Sequence, residues 1–222
     1  MWSDEFNGDS LNRADWNVEI HEKGWVNNEL QEYVDSAENI QVKDGKLIIN
    51  PVKKVTDGDT GSTKEAASYT SGRVSTQNKQ TFIYGRFECR AKVPKGQGYL
   101  PAFWLMANNE NVYGQWPRCG EIDCMEVMGQ ETNKTYGTIH YGNPHSQSQG
   151  TYTITDGADF SDDFHIFTCD WEPGKITWYV DGVKYHEESD WHSTTVGQGT
   201  LSIANHETCN CSTGNFHICR FM

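Results

Sequence analysis

GEIDCMEVMG, residues 120–129, sets three carboxyls, Glu121, Asp123 and Glu126, among Ile, Cys and Met. Acids beside such neighbours are costly to bury unless they are paired or have chemistry to do. Side chains alternate along a regular strand, so Glu121 and Asp123 share one face while Glu126, five positions on, points the other way. That arrangement buries Glu126 and exposes Val127, which is energetically backwards. One extra residue at Cys124-Met125 repairs both faults, because a β-bulge sets two residues against one and flips the parity of every later position in the strand. Glu121, Asp123 and Glu126 then share a face, with Ile122 and Val127 on the core side. The segment makes sense only as a bulged strand.

Other strand signals run along the chain: NIQVKDGKLIINPV, GRFECRAKV, AFWLM, YGTIHYG, TYTI, FHIFTCDW and KITWYVDGVKYH. Each is bounded by Gly, Asn, Asp or Pro, and Lys43-Asp44-Gly45-Lys46 and Val180-Asp181-Gly182-Val183 are hairpin signals. No helical pattern exceeds two turns. Many short antiparallel strands without repeats predict an all-β chain, a β-sandwich or jelly roll of two antiparallel sheets. At 222 residues, with no long linker, the chain is expected to be a single domain over 1–222. Asp57 to Ala67, a largely polar stretch, is expected to be a surface loop.

A net charge of −13 excludes nucleic acid, whose phosphates would be repelled. No run approaches the ~18 apolar residues that a membrane helix needs. Eight Trp and ten Tyr suit a neutral polymer met by stacking. The opening MWSDEF has neither a basic nor an apolar signal region, so the chain is either intracellular or a trimmed mature form. Seven Cys at irregular spacing give no disulfide framework, and four of them sit in strand-like runs as small core residues. Cys209 and Cys211 lie near His206 and His217, but that spacing is not a zinc pattern, and no metal is expected.

Three carboxyls on one face of a concave sheet suit glycoside hydrolysis. A retaining enzyme needs two carboxyls ~5–5.5 Å apart, one as nucleophile and one as acid then base. Asp123, between the two glutamates, should hydrogen-bond one of them and hold their pKa values apart. Calcium is the rival ligand of clustered carboxylates, but a strand beside aromatics, rather than a Gly/Asn/Asp loop, favours catalysis. In AFWLM, Trp104 shares a face with Ala102 and Met106, opposite Phe103 and Leu105. It is either a partly buried core residue or a platform for a pyranose ring.

The segment WPRCGEIDCMEVMG, Trp116 to Gly129, resembles the active-site signature of glycoside hydrolase family 16, in its laminarinase (endo-1,3-β-glucanase) branch. WSDEFNGDSLN, GWVNNELQEYV, TSGRVSTQNKQTFIYGRFECRAKVPKGQGYLPAFWLM, YGTIHYG and DDFHIFTCDWEPGKITWYVDG resemble that branch in order, over roughly residues 2 to 190. The resemblance implies Glu121 as nucleophile, Glu126 as acid/base, Asp123 as the assisting acid and His140 as a supporting histidine. It implies Trp104 and Trp116 as walls of the sugar subsites, with Arg73 and one of Asn27 and Asn28 contacting sugar hydroxyls. Strand parity lets only one of those asparagines face the cleft, while Arg73 as a plain surface charge and His140 as a half-buried structural residue remain alternatives.

The implied function is a retaining endo-glycosidase of β-1,3-glucan, with mixed-linkage β-1,3-1,4-glucan as a second substrate. A non-catalytic β-glucan-binding protein on the same fold is the alternative. The resemblance also implies a monomer acting in an extracellular or periplasmic location, with no cofactor required. Some relatives hold a structural calcium through the N-terminal region, a glycine comparable to Gly45 and an Asp of the last strand. No such Asp is present here, so calcium is not expected. Residues 199–222 depart from the family pattern and read as a truncated or frame-shifted end lacking the expected strands, and the N-terminus looks clipped by one short strand.

Overall fold

A computed structural model describes residues 1–54, 68–194, 200–202 and 216–219. These residues fall into two compact units, 1–79 and 80–219. The expected loop at Asp57 to Ala67 and the Cys209/Cys211 group lie outside the described residues.

The first unit carries seven short strands: β1 (Asn17–Val18), β2 (Gln31–Tyr33), β3 (Ile40–Val42), β4 (Leu47–Ile49), β5 (Val52–Lys54), β6 (Ser68–Ser71) and β7 (Val74–Ser75). The β3–β4 hairpin forms at the predicted turn. Asp44 and Gly45 both take positive φ, 52° and 67°, and Lys43 and Lys46 exchange backbone hydrogen bonds across them. β6 pairs antiparallel with β5 and parallel with β2, a departure from the all-antiparallel expectation. Leu11, Trp16, Tyr33, Val42 and Val74 are buried in this unit.

The second unit begins with β8 (Gly85–Ala91), β9 (Ala102–Ala107), the short helix α1 (Glu110–Tyr113) and β10 (Glu121–Glu126). It continues through β11 (Lys134–Tyr141), β12 (Ser146–Thr153), β13 (His165–Glu172), β14 (Lys175–Val180) and β15 (Val183–Glu188). Three short strands come last: β16 (His192–Thr194), β17 (Thr200–Ser202) and β18 (Phe216–Cys219). One antiparallel sheet has the order β15-β14-β13-β8, and the other runs β18-β9-β10-β11-β12. Together they form the expected jelly-roll sandwich.

The two sheets of this unit meet over an apolar core that includes Phe103, Leu105, Ile122, Met125, Ile139, Phe167, Ile176 and Trp178. Trp178 reaches across it, its indole N–H donating to the Asp123 carbonyl at 2.8 Å. The sheets approach closely enough that position 137 has no room for a side chain. A Cβ on Gly137 would stand 2.5 Å from Trp178 Cδ1 and closer still to the Tyr185 hydroxyl. Cys89, Cys119, Cys124 and Cys169 are free thiols, and burial pushes those of Cys89 and Cys119 up to about 12. Cys124 and Cys169 are buried strand residues, as expected from sequence, whereas Cys89 is a half-buried strand residue and Cys119 is buried in the turn before β10.

Beyond residue 199, sequence shows no run of the expected kind, yet the structure holds two short strands there. β17 pairs with β16, and β18 pairs along β9 from Ala107 to Trp104. The expectation of lost strands is corrected to that extent.

Candidate active site

β10 lies between β9 and β11, and its register reveals the bulge directly. Glu121, Ile122 and Asp123 oppose His140, Ile139 and Thr138 of β11, but Glu126 opposes Tyr136, so three steps on β10 match two on its partner. Against β9, Asp123 faces Trp104 and Met125 faces Phe103, two steps against one. The extra residue falls at Cys124-Met125, as parity requires. Both of those residues are fully buried, together with Ile122 and Val127.

The bulge therefore aligns Glu121, Asp123 and Glu126 on the face that also carries His140, Thr138 and Tyr136 from β11. Met106, Trp104 and Ala102 of β9 share it. Asp123 is 2% exposed, and Glu121 and Glu126 are half-buried. His140 Nε2 stands 3.2 Å from Asp123 Oδ2. The indole N–H of Trp116 donates to Glu121 Oε2. Trp116 comes from the loop after α1, where its backbone N–H donates to Glu110 Oε2 at 3.1 Å.

Burial is the main cause that raises all three carboxyls. Glu121 is pushed up to about 8, with the Asp123 charge adding to the rise and His140 and the Trp116 hydrogen bond opposing it. Asp123 is raised well above the usual range by burial and by Glu126, against a hydrogen bond from Glu121. Glu126 is raised by burial and by Glu121, with His140 opposing. Three carboxyls this close and this dry cannot all be charged, so at neutral pH the cluster holds protons among its members.

Trp104 stands on the carboxylate face as expected, but it is only 7% exposed and packs with Ala102 and Met106. Trp116, at 45%, offers the open aromatic ring. His145, which no sequence signal indicated, joins the group from the turn between β11 and β12. Its Nε2 lies 3.0 Å from His140 Nδ1, and its ring stands 5.0 Å from that of Trp116. Only the paired register of β11 and β12 brings position 145 back beside 140.

The remaining predicted residues belong to the first unit. Arg73 is not a surface charge. It is 6% exposed, its Nε donates to Glu19 Oε2, and its guanidinium lies 5.0 Å from the Trp25 ring and 5.8 Å from that of Tyr33. Asn27 and Asn28 are both exposed and occupy a turn, with φ of 52° and 53° and a hydrogen bond from the Glu29 N–H to the Val26 carbonyl. Neither lies in a strand, so strand parity does not choose between them.

For calcium, Gly45 does approach the N-terminal segment, since a Cβ there would stand 3.9 Å from the Glu5 carbonyl and Asn7 Oδ1. The last described strand, Phe216–Cys219, supplies no Asp.

A jelly-roll sandwich with three buried-to-half-buried carboxyls on one sheet face, edged by an open indole, defines a carbohydrate-cleaving hydrolase. The sequence profile of the glycosyl hydrolases family 16 matches residues 27–204. The chain belongs to that family, in its laminarinase branch. It is 44% identical over 192 residues to a glucan endo-1,3-beta-glucosidase of Cryptopygus antarcticus, covering 85% of this chain and 68% of that one. It is 39% identical over 209 residues to glucan endo-1,3-beta-glucosidase A1 of Niallia circulans, covering 87% of this chain but only 30% of that protein's length. The laminarinase of Rhodothermus marinus superposes with a TM-score of 0.79 at 30% identity, over 99% of this chain and 83% of that one.

Proposed function

We propose that the chain is a retaining endo-β-1,3-glucanase of laminarin-type polymers, with mixed-linkage β-1,3-1,4-glucan as a second substrate. The observation that carries this reading is the bulge at Cys124-Met125, which brings Glu126 onto the face of Glu121 and Asp123. Glu126, raised by burial and by Glu121, suits the role of proton donor to the glycosidic oxygen. Glu121 attacks the anomeric carbon as the bond to that oxygen breaks, giving a glycosyl-enzyme. Glu126, now ionised, takes a proton from water, whose oxygen attacks the same carbon and releases Glu121. Trp116 keeps Glu121 oriented and supports its charge, while its ring offers a stacking surface for the sugar.

Arg73, Asn27 and Asn28 are proposed contacts to sugar hydroxyls, and Trp104 is proposed as a buried wall beneath the subsites. A polymer substrate implies action outside the cytoplasm, and no helix among the described residues is long and apolar enough to cross a membrane. We propose that the chain works there as a monomer. The glucan-binding alternative leaves both glutamates without a task. Reducing-sugar release from laminarin is the test, with Glu121→Gln and Glu126→Gln as controls. Release that both substitutions abolish is the expected result. A well-folded chain that binds laminarin without cutting it would overturn the reading in favour of the binder.

A further inference from the structure

His145 is an exposed residue of the turn joining β11 to β12, yet its ring is not idle. It lies 26° from parallel with His140 at a centroid distance of 5.2 Å. Its Nε2 is 3.0 Å from His140 Nδ1, and its other neighbour is the Trp116 ring at 5.0 Å. The turn is clasped to the Trp116 loop from a second direction. With its amide oxygen facing Arg118, Asn143 accepts from that guanidinium at 3.1 Å and 2.5 Å. Gly142 in the same turn closes against His192, since a Cβ there would stand 3.0 Å from Nε2 of that ring. The turn is thus anchored by contacts that do not involve His145.

On its other side His140 Nε2 stands 3.2 Å from Asp123 Oδ2, and the ring is near enough to Glu121 and Glu126 to act against the rise of both carboxyls. Oδ2 of Asp123 is buried and has no hydrogen bond of good geometry among the described residues. A neutral imidazole carries one N–H, and the bond made by one nitrogen decides what the other can do. If Nδ1 of His140 accepts from His145, its proton must sit on Nε2, facing Asp123. The N–H of His140 then meets the one acceptor that most needs a donor.

We propose that His145 is a positioning residue of this site: by donating from Nε2 to Nδ1 of His140, it holds His140 in the tautomer whose Nε2–H points at Asp123. Asp123 in turn is hydrogen-bonded to Glu121. Oδ2 is thus left to the His140 donor, while the bond with Glu121, in which Glu121 donates, falls to the other Asp123 oxygen. His145 touches neither the sugar nor the two glutamates. It acts through His140, and the inference rests on the glycosidase reading of Glu121 and Glu126.

The test compares His145→Leu, which cannot donate, with His145→Gln, whose amide can. Wild-type release from laminarin, abolished in Glu126→Gln, first secures the glycosidase reading by itself. His145→Leu is then expected to lower kcat about tenfold or more, the scale of losing an outer-shell partner of a working histidine. His145→Gln is expected to stay within about threefold of wild type, with unchanged thermal midpoints for both variants. Long-range proton–nitrogen NMR, with the His140 signals assigned by their loss in His140→Gln, reads the tautomer. The Nε2–H form is expected in wild type and His145→Gln, and a mixture with the Nδ1–H form in His145→Leu. An Nδ1–H tautomer in wild type overturns the proposal, and so does full activity of His145→Leu. Equal impairment of the Gln and Leu variants, or loss of activity in His145→Leu without a tautomer change, overturns it as well.

Discussion

The indole N–H of Trp116 donates to Oε2 of Glu121, five residues along the chain, so the open ring bordering the site also holds one of its carboxylates. Trp116→Phe keeps an aromatic face and removes the donor. Losing that bond takes away a contact that lowers the Glu121 pKa, so the carboxyl must rise further. A nucleophile has to be ionised, and the acid limb of kcat/KM therefore moves to higher pH. A hydrogen bond to a charged group contributes ~1.5–3 kcal/mol, which corresponds to a fall in kcat of roughly tenfold to a hundredfold. KM for laminarin should change little, because the ring remains. A pH–rate profile checks this, and an unmoved acid limb would leave Trp116 as a stacking wall alone.

Glu121 itself should cost the fold stability at neutral and alkaline pH. Its carboxyl is raised by burial to about 8, against ~4.3 for an unperturbed glutamate. Between those values the folded chain binds more protons than the unfolded one, so stability is fullest below about pH 4 and declines as pH rises towards 8. Glu121→Gln does not titrate and escapes that decline. The variant should match wild type near pH 4 and melt several degrees higher at pH 8, given that ~1 kcal/mol moves Tm by ~2–4 °C at this size. An offset independent of pH would show that burial of the charge is not the cause.

The sequence exposes the bulge because an error of parity leaves two visible faults, an acid on the core side and a valine on the open side. Runs such as GRFECRAKV and FHIFTCDW likewise become β8 and β13, since each carries a face that must be buried. The first half of β12, Ser146 to Gln149, is polar throughout and gives no such sign. It lies on the edge strand of its sheet, and Gly150 beside it is a glycine because a Cβ would collide with His186. His145 is hidden for a related reason, as its partner is set by hairpin register and not by spacing. The parallel pairing of β2 with β6 sets Gln31 beside Tyr69, a separation along the chain that no local pattern reports.

Arg73 and Glu19 form a buried pair in the first unit, with side chains 8% and 15% exposed. Burial acts to raise Glu19, but the Arg73 charge and hydrogen bonds from Ser75, Arg73 and His21 outweigh it and hold the carboxyl below its usual range. A depressed carboxyl contributes stability above its unfolded pKa and loses it as pH falls through the folded one. Arg73→Met should cost ~3–5 kcal/mol at pH 7 by stranding the Glu19 charge, and less near pH 3, where Glu19 is protonated. Glu19→Gln combined with Arg73→Met should recover much of the loss at pH 7. Thermal melts at the two pH values check both expectations, and a loss of equal size at each would rule out the stranded charge.

The bulge separates two effects that a single substitution would confuse. Met125 is fully buried, so Met125→Ala leaves a cavity and should cost ~2–5 kcal/mol. The backbone register survives that change, and with it the alignment of Glu126 with Glu121 and Asp123. Measured well below its melting temperature, Met125→Ala should therefore keep kcat on laminarin within about threefold of wild type. Deleting Met125 removes the extra residue itself. Everything after it changes parity, which turns Glu126 towards the core and Val127 away from it. The deletion variant should lose at least about a thousandfold in kcat, the scale expected when general acid catalysis and its geometry are both lost. Circular dichroism and melting curves establish whether each variant is folded at the assay temperature. A folded deletion variant with kcat within tenfold of Met125→Ala would mean that the acid reaches the sugar without the bulge, and the assignment of Glu126 would have to be withdrawn.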